Sequence, residues 1–411
     1  MQAVETRRLD ADYYFGLYHD YGIPLYDMIP GVIIERSKGP LLYDLEGREF
    51  IDMLACYSAV NQGHCHPYIV GAHCEQAQKN TLVSQSIGNP LAGPLLQKIT
   101  GLLGYEKAIL ANSGAEAVET ALKTMRAWGE RVKEIPAEES IIVVCNGNFH
   151  GRTTTIISFS DDPTARGSFG PFTPGFLNIP YDDIPALRTA LRNKKVVGFL
   201  FEPIQGEAGI RIPKPGYLKA IRQLCTDNNV LMVADEIQTG LGRTGEMLAC
   251  YHEQVFPDMI TIGKALSGGI YPVSAVVGLA DVLGVFKPGE HGSTYGGNPL
   301  ACATALAALE VLEQNNFELC RRAIPLGKFF RALLSEIESD LIKEVRGIGL
   351  MTALVLDNEK VNPWQFCIAL SKHGVLAKPA HDIIRLTPTL DISQKQLGTV
   401  AYTIKETLNE F

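Results

Sequence analysis

The chain has 411 residues, 46% of them apolar and 20% charged, with a formal net charge of −8, a composition that builds a sizeable core and fits two domains. The charge is spread along the chain with no Lys/Arg stripe among aromatics, which argues against a nucleic-acid partner, and apolar runs such as Val196 to Phe201 end far short of a membrane span. Nine irregularly spaced cysteines speak against a disulfide framework, and the cluster of Cys56, His64, Cys65, His66 and Cys74 lacks the spacing of common zinc sites, so no metal is expected.

At the N-terminus Arg7 and Arg8 are diluted by Glu5, Asp10 and Asp12, a pattern unlike an Arg-rich transit peptide or a secretory signal, and a cytoplasmic location is expected. Extended stretches around Gly31 to Ile34 and Leu41 to Asp44 place the segment 1–47 against the C-terminal part of the chain. From about Glu106, short β-branched runs alternate with helical patterns, as in strand-helix units around a parallel sheet. Candidate strands are Lys107 to Ala111, Ile141 to Cys145, Val196 to Glu202, Val230 to Asp235, Met259 to Gly263 and Ser274 to Gly278. Several are continuously hydrophobic, as strands covered on both faces are. The fold class is α/β, with a large, mainly parallel-sheet domain over 48–298. Past Tyr295 an Ala/Leu-rich helix runs from Pro299 to about Gln314. Leu/Ile-patterned helices and the short strands Val345 to Leu356 and Ile383 to Thr387 follow, giving a smaller α+β domain over 299–411.

Ligands of open α/β sheets bind beyond the carboxyl ends of the strands, and three such ends carry chemistry. Asn112-Ser113-Gly114-Ala115-Glu116 turns from a strand into a helix expected over Ala115 to Trp128, whose N–H groups suit a phosphate. Alone, the same residues read more simply as a helix cap. The strand ending at Asp235-Glu236 brings a carboxylate to the rim of a buried sheet, where a cation such as a protonated ring nitrogen would satisfy it. Alone it reads as a surface acid. The strand ending at Gly263-Lys264 offers an amine that burial would make nucleophilic, although a lone lysine is usually solvated. All three fall on one sheet edge, where a phosphate, a ring nitrogen and an aldehyde could be held together. Gly240-Leu241-Gly242-Arg243-Thr244-Gly245 fits the spacing of a dinucleotide-binding loop, but Asp235 to Thr239 separate it from its strand and no helix follows.

These stretches resemble the class III aminotransferases of fold type I over nearly the whole chain. The resemblance rests on NSGAEAVETALK (Asn112 to Lys123), NFHGRT (Asn148 to Thr153), EPIQGEAG (Glu202 to Gly209), DEIQTGLGRTG (Asp235 to Gly245), GKALSGG (Gly263 to Gly269) and HGSTYGGNP (His291 to Pro299). It implies a large cofactor domain and a smaller α+β domain, with pyridoxal 5'-phosphate as cofactor. Lys264 would hold the cofactor as a Schiff base, Asp235 pair with the pyridine nitrogen and Gln238 touch the phenolic oxygen. By the same resemblance Ser113, Gly114 and Ala115 hold the phosphate and Phe149 stacks on the ring. Ser293 and Thr294 belong to the cofactor set as well, Thr294 reaching the phosphate of the neighbouring subunit in an obligatory homodimer. For Phe149 core packing is the bland alternative.

Within the family, CYSAVNQGHCHP (Cys56 to Pro67), KPGEHGSTYGGNPL (Lys287 to Leu300) and GVLAKPAHDIIRLTP (Gly374 to Pro388) resemble the branch whose amino donor is ornithine. That resemblance implies that Tyr26 and Tyr57 hold the α-amino end of ornithine so that the δ-amine faces the cofactor. Half-buried packing is the alternative for both tyrosines. It assigns the distal carboxylate to Arg152 and the near carboxylate of 2-oxoglutarate to Arg385, bidentate fits that lysine makes poorly. Glu207 would mask Arg385 while ornithine reacts and swing away for glutamate. His150 departs from the pattern: many ornithine enzymes carry tryptophan there, and His150 resembles the acylornithine branch. Acetylornithine and 4-aminobutyrate aminotransferases are the competing enzyme readings, and a catalytically silent binding protein of the same fold is the non-enzyme one.

Overall fold

The computed structural model describes residues 10–411, so the reading of Glu5, Arg7 and Arg8 lies outside the described residues. The first element, a helix over Ala11–Tyr21, was not foreseen from sequence; Asp10 caps it by accepting the Tyr13 N–H at 3.0 Å. Strands β1 (Ile34–Lys38), β2 (Leu41–Asp44) and β3 (Glu49–Asp52) then form an antiparallel meander.

Seven strands build the central sheet: β4 (Lys107–Ala111), β5 (Ile141–Cys145), β6 (Phe176–Ile179), β7 (Val196–Phe201), β8 (Leu231–Asp235), β9 (Met259–Ile262) and β10 (Ser274–Gly278). Their spatial order is β4-β10-β9-β8-β7-β5-β6. Strand β10 runs antiparallel to both neighbours and every other pairing is parallel. Every residue of β7, β8, β9 and β10 is buried, which is why these strands read as unbroken apolar runs.

The helix over Gly114–Arg131 covers one face, with Val118, Leu122 and Met125 joining Ile142, Val144 and Val197 in one core cluster. Gly198 makes this close approach possible, because a Cβ there would lie 2.2 Å from Met125 Sδ. Val143, Phe199 and Phe201 point to the other face and a second, larger core.

The C-terminal part contributes β11 (Ile342–Ile348), β12 (Met351–Leu356), β13 (Val375–Leu376), β14 (Lys378–Ala380) and β15 (Ile383–Leu386). Strands β11-β12-β15-β14 form an antiparallel sheet, while β13 adds to the N-terminal meander by pairing parallel with β3, Val375 opposite Ile51. Strand β3 therefore lies inside the range 48–298 but hydrogen-bonds to β2 and to β13 of the range 299–411. The long helix Pro299–Arg321 is interrupted from Gln314 to Phe317, close to where the Ala/Leu pattern stops.

The loop that mimics a dinucleotide motif has a packing role. A Cβ at Gly242 would meet Cys320 Sγ at 2.6 Å, and one at Gly245 would meet Ile324 Cγ1 at 2.3 Å. Between them Arg243, fully buried, donates to Leu350 O (2.9 Å), Pro388 O (2.6 Å) and Asn61 Oδ1 (2.5 Å), tying three distant stretches together. Burial pulls its pKa down to about 9. All nine cysteines are free, and no helix among the described residues is long and apolar enough to cross a membrane.

Candidate active site

At the carboxyl edge of the central sheet lies a cavity of about 150 Å³, lined among others by Ala115, Phe149, His150, Asp235, Gln238 and Lys264. Asp235, the last residue of β8, is buried there and is held from three sides. Its Oδ1 accepts from Ile237 N (3.1 Å) and Thr261 Oγ1 (3.0 Å), and its Oδ2 lies 2.6 Å from His150 Nδ1. Burial works to lower the His150 pKa, but the hydrogen bond and charge of Asp235 outweigh it and raise the net value. Glu202 lies next to this pair and accepts the N–H groups of Phe149 (3.0 Å) and Gly206 (3.2 Å). Burial is the main cause that pushes its carboxyl up to about 7, with Asp235 adding to the rise and His150 opposing it.

Lys264 follows β9 directly through Gly263 and has a φ of 43°, in the left-handed region that side chains avoid. Burial lowers its pKa, against the pull of Glu207 and Asp235, and so raises the share of free amine. Ser113 caps the helix Gly114–Arg131 in a reciprocal arrangement with Glu116: Ser113 Oγ accepts the Glu116 N–H at 3.2 Å and Glu116 Oε2 accepts the Ser113 N–H at 2.8 Å. The capping reading of the sequence is therefore met. The next two amides, of Gly114 and Ala115, belong to the first turn, have no intrahelical acceptor and border the cavity.

Next to the cavity a second group of side chains forms a chain of contacts. Gln238 Nε2 donates to Glu207 Oε1 at 3.4 Å, and Glu207 forms an ion pair with the buried Arg385. Burial would raise the Glu207 carboxyl, but Arg385 and then Lys264 hold it below the usual range. The Arg385 guanidinium lies 4.6 Å from the centre of the Tyr57 ring. Tyr57 sits in a left-handed turn, with φ of 45°, 46°, 61° and 76° at Ala55, Cys56, Tyr57 and Ser58. Asp52 steadies the entry to the turn by accepting the N–H groups of Leu54 (2.8 Å) and Ala55 (3.1 Å). Strain of this kind persists where the surroundings over-determine it, as at functional sites.

The structure does not bring all the expected residues to one wall. Arg152 is exposed and lies over Phe149, 5.6 Å from the ring centre, and does not itself line the cavity. Tyr26 is 69% exposed and touches the site through Lys378, whose Nζ is 4.6 Å from its ring centre. Ser293 and Thr294 do not line the 150 Å³ cavity. Ser293 Oγ accepts from Asn112 Nδ2 (2.9 Å) and Gly296 N (3.0 Å), and Thr294 is exposed. A larger cavity of about 610 Å³ opens past the same helix start, between Glu119, Thr153, Phe286, His291 and Ser293. Sequence reasoning did not single out Glu202, Thr261 or Lys378 for the site. Thr261 had a signal, as the one polar side chain in the otherwise apolar strand Met259–Ile262.

Residues 23–408 match the family described as aminotransferase class-III. The chain is 48% identical over 403 residues to a protein of Rattus norvegicus named ornithine aminotransferase, mitochondrial, a match covering 98% of this chain and 91% of the relative. Among solved structures it superposes on the ornithine aminotransferase of Toxoplasma gondii, described with partial occupancy of PLP at the active site, with a TM-score of 0.94. That pair shares 43% identity, with 97% of this chain and 94% of the other covered. The acetylornithine aminotransferase of Elizabethkingia anophelis gives a TM-score of 0.90 and 48% identity, with 98% and 100% covered.

Proposed function

The chain belongs to the class-III aminotransferase family, and from that premise we propose that it is an ornithine δ-aminotransferase dependent on pyridoxal phosphate. It moves the δ-amino group of L-ornithine to 2-oxoglutarate, giving glutamate 5-semialdehyde and L-glutamate in two successive half-reactions. The observation that carries the reading is the meeting of Lys264, the triply bonded Asp235 and two first-turn helix amides around one cavity, with the Glu207–Arg385 pair beside it.

These groups fit the cofactor. When bound, pyridoxal phosphate supplies an aldehyde that captures the donor amine and a ring that accepts the electron pair released at the reacting carbon. The amides of Gly114 and Ala115, next to Ser113, suit a phosphate, and the face of Phe149 suits a flat ring. Asp235, its other lone pairs occupied by donors, is suited to hold a proton on the ring nitrogen, and Gln238 to donate to a phenolic oxygen. Lys264 Nζ, partly uncharged through burial, takes the proton from the substrate δ-carbon.

Two substrates must share the site. Arg152, over the Phe149 ring, takes the distal carboxylate and Arg385 the near one, while Tyr26 and Tyr57 receive the α-amino end of ornithine. With Glu207 paired to it, Arg385 offers no net charge to an incoming α-carboxylate, which favours the δ-amine. The exposed Thr294 and the large cavity beside Ser293 are surfaces that a second copy of the chain would cover, with Ser293 and Thr294 turned to the partner's cofactor. The enzyme is then a homodimer with shared sites, in a reducing compartment that suits nine free thiols, the cytoplasm in this reading.

Acetylornithine aminotransferase is the second reading, favoured by His150 and by the acetylornithine relative. A comparison of donors decides between them. With 2-oxoglutarate as acceptor, purified protein is expected to use ornithine ahead of N-acetylornithine and 4-aminobutyrate, with the semialdehyde trapped as its cyclised product. A preference for N-acetylornithine would refute the ornithine assignment and leave the family intact.

A further inference from the structure

Strands β14 and β15 pair antiparallel with Lys378 opposite Arg385. Like charges directly opposite each other on neighbouring strands are destabilising, and both side chains turn to the same ring. Arg385 lies 4.6 Å from the centre of the Tyr57 ring, and Lys378 Nζ donates to the Tyr57 hydroxyl at 3.5 Å. Lys378 also lies 4.6 Å from the centre of the Tyr26 ring. The two cations differ in one respect. Arg385 is paired with Glu207, whereas Lys378 is half-buried with no carboxylate partner among the described residues. While Glu207 holds Arg385, Lys378 is the charge that sets the sign of the field between the two tyrosines.

We propose that Lys378 is a specificity-determining residue. It is a fixed positive charge that admits donors carrying a carboxylate at the far end and disfavours donors whose far end is a bare ammonium. The inference rests on the ornithine reading, in which Tyr26 and Tyr57 receive the α-amino end of ornithine. Ornithine carries a carboxylate beside its α-ammonium, so that end brings no net charge. A 1,4-diamine of the same length brings only a second cation, which would lie beside Lys378, a lysine with no carboxylate partner among the described residues. Repulsion of this sort excludes the wrong partner more than it strengthens the right one. A lysine serving only to pack Tyr26 against Tyr57 would affect all donors alike.

The test uses the holoenzyme and a matched pair of donors, ornithine and 1,4-diaminobutane, which is ornithine without its carboxylate. In Lys378→Gln and Lys378→Met the ratio of kcat/KM for ornithine to that for 1,4-diaminobutane is expected to fall by about tenfold, and Lys378→Arg to restore most of it. A second readout does not depend on turnover. Glutarate, an unreactive dicarboxylate, is expected to bind Lys378→Gln several-fold more weakly than wild type by calorimetry, with Lys378→Arg close to wild type. If wild type transaminates ornithine but the donor ratio and glutarate binding are the same in all variants, the inference is overturned and the ornithine reading stands. A wild-type enzyme that does not use ornithine would overturn both.

Discussion

Asp235 and Glu202 are two carboxylates within one buried cluster, and they are satisfied differently. Asp235 has Ile237, Thr261 and His150 as donors, whereas Glu202 has two backbone amides and is pushed up to about 7 chiefly by burial. The sign of the consequence follows from linkage. Its folded pKa is raised from 4.5 to about 7, so the stability it contributes is complete below about 4.5 and is lost as pH rises through about 7. Glu202→Gln removes the titration while keeping the shape. Relative to wild type its thermal midpoint is expected to rise, on the order of 2 °C, between about pH 5 and about pH 8. A difference that is flat or falls with pH would contradict this. Lys264 and Asp235 were visible from sequence as polar groups at or just past the ends of apolar strands, where each alone reads as a solvated group; their proposed roles came from three such ends falling together and from the family pattern. Glu202 was read only as the end of a candidate strand and the start of a motif, since nothing local to it tells that it is buried. Lys378 was quoted within a longer stretch, and its meaning depends on a cross-strand partner that no local pattern reveals.

The elements that position these residues were readable to the extent that burial left a pattern. Strands β4, β5 and β10 begin and end where the apolar runs do, and β7, β8 and β9 differ by a single residue at one end. Strand β6 was missed because it is a four-residue edge strand with two exposed positions, and β13 and β14 because they are too short to carry a period. The left-handed turn at Ala55–Ser58 had no signal at all, since it contains none of the Gly, Asn or Asp that usually occupy such angles. Gly206 shows how tightly one such element constrains another. A Cβ there would lie 1.5 Å from Gln238 Oε1, so the glycine is what lets the loop after β7 pack onto the residue proposed to meet the phenolic oxygen. Gly206→Ala is expected to displace Gln238 and lower ornithine turnover on the order of tenfold to a hundredfold. Its unfolding free energy should change by about 1 kcal/mol or less, because the clash is with the end of a flexible side chain. Native turnover in this variant would remove Gln238 from the reacting geometry.

Over the whole molecule, residues 26, 57, 207, 264, 378 and 385 converge because β13 joins the N-terminal meander while β14 and β15 stay with the C-terminal sheet. That long-range arrangement could be expected from a family pattern but not from periodicity. The sharing of sites between two copies is a property of the assembly and has its own test. Lys264→Ala and a Thr294→Glu variant, each inactive alone, should regain about one quarter of wild-type activity when unfolded and refolded together, since half the dimers are mixed and each has one intact site. No recovery would mean that Thr294 serves its own subunit or none. The central claim, that one lysine amine carries the cofactor, is tested most directly by borohydride reduction of the holoenzyme followed by peptide mass mapping. The expected result is a pyridoxyl-phosphate mass on the peptide containing Lys264, absent from Lys264→Ala. A label on another lysine, or no label on a protein reconstituted with the cofactor, would contradict the account.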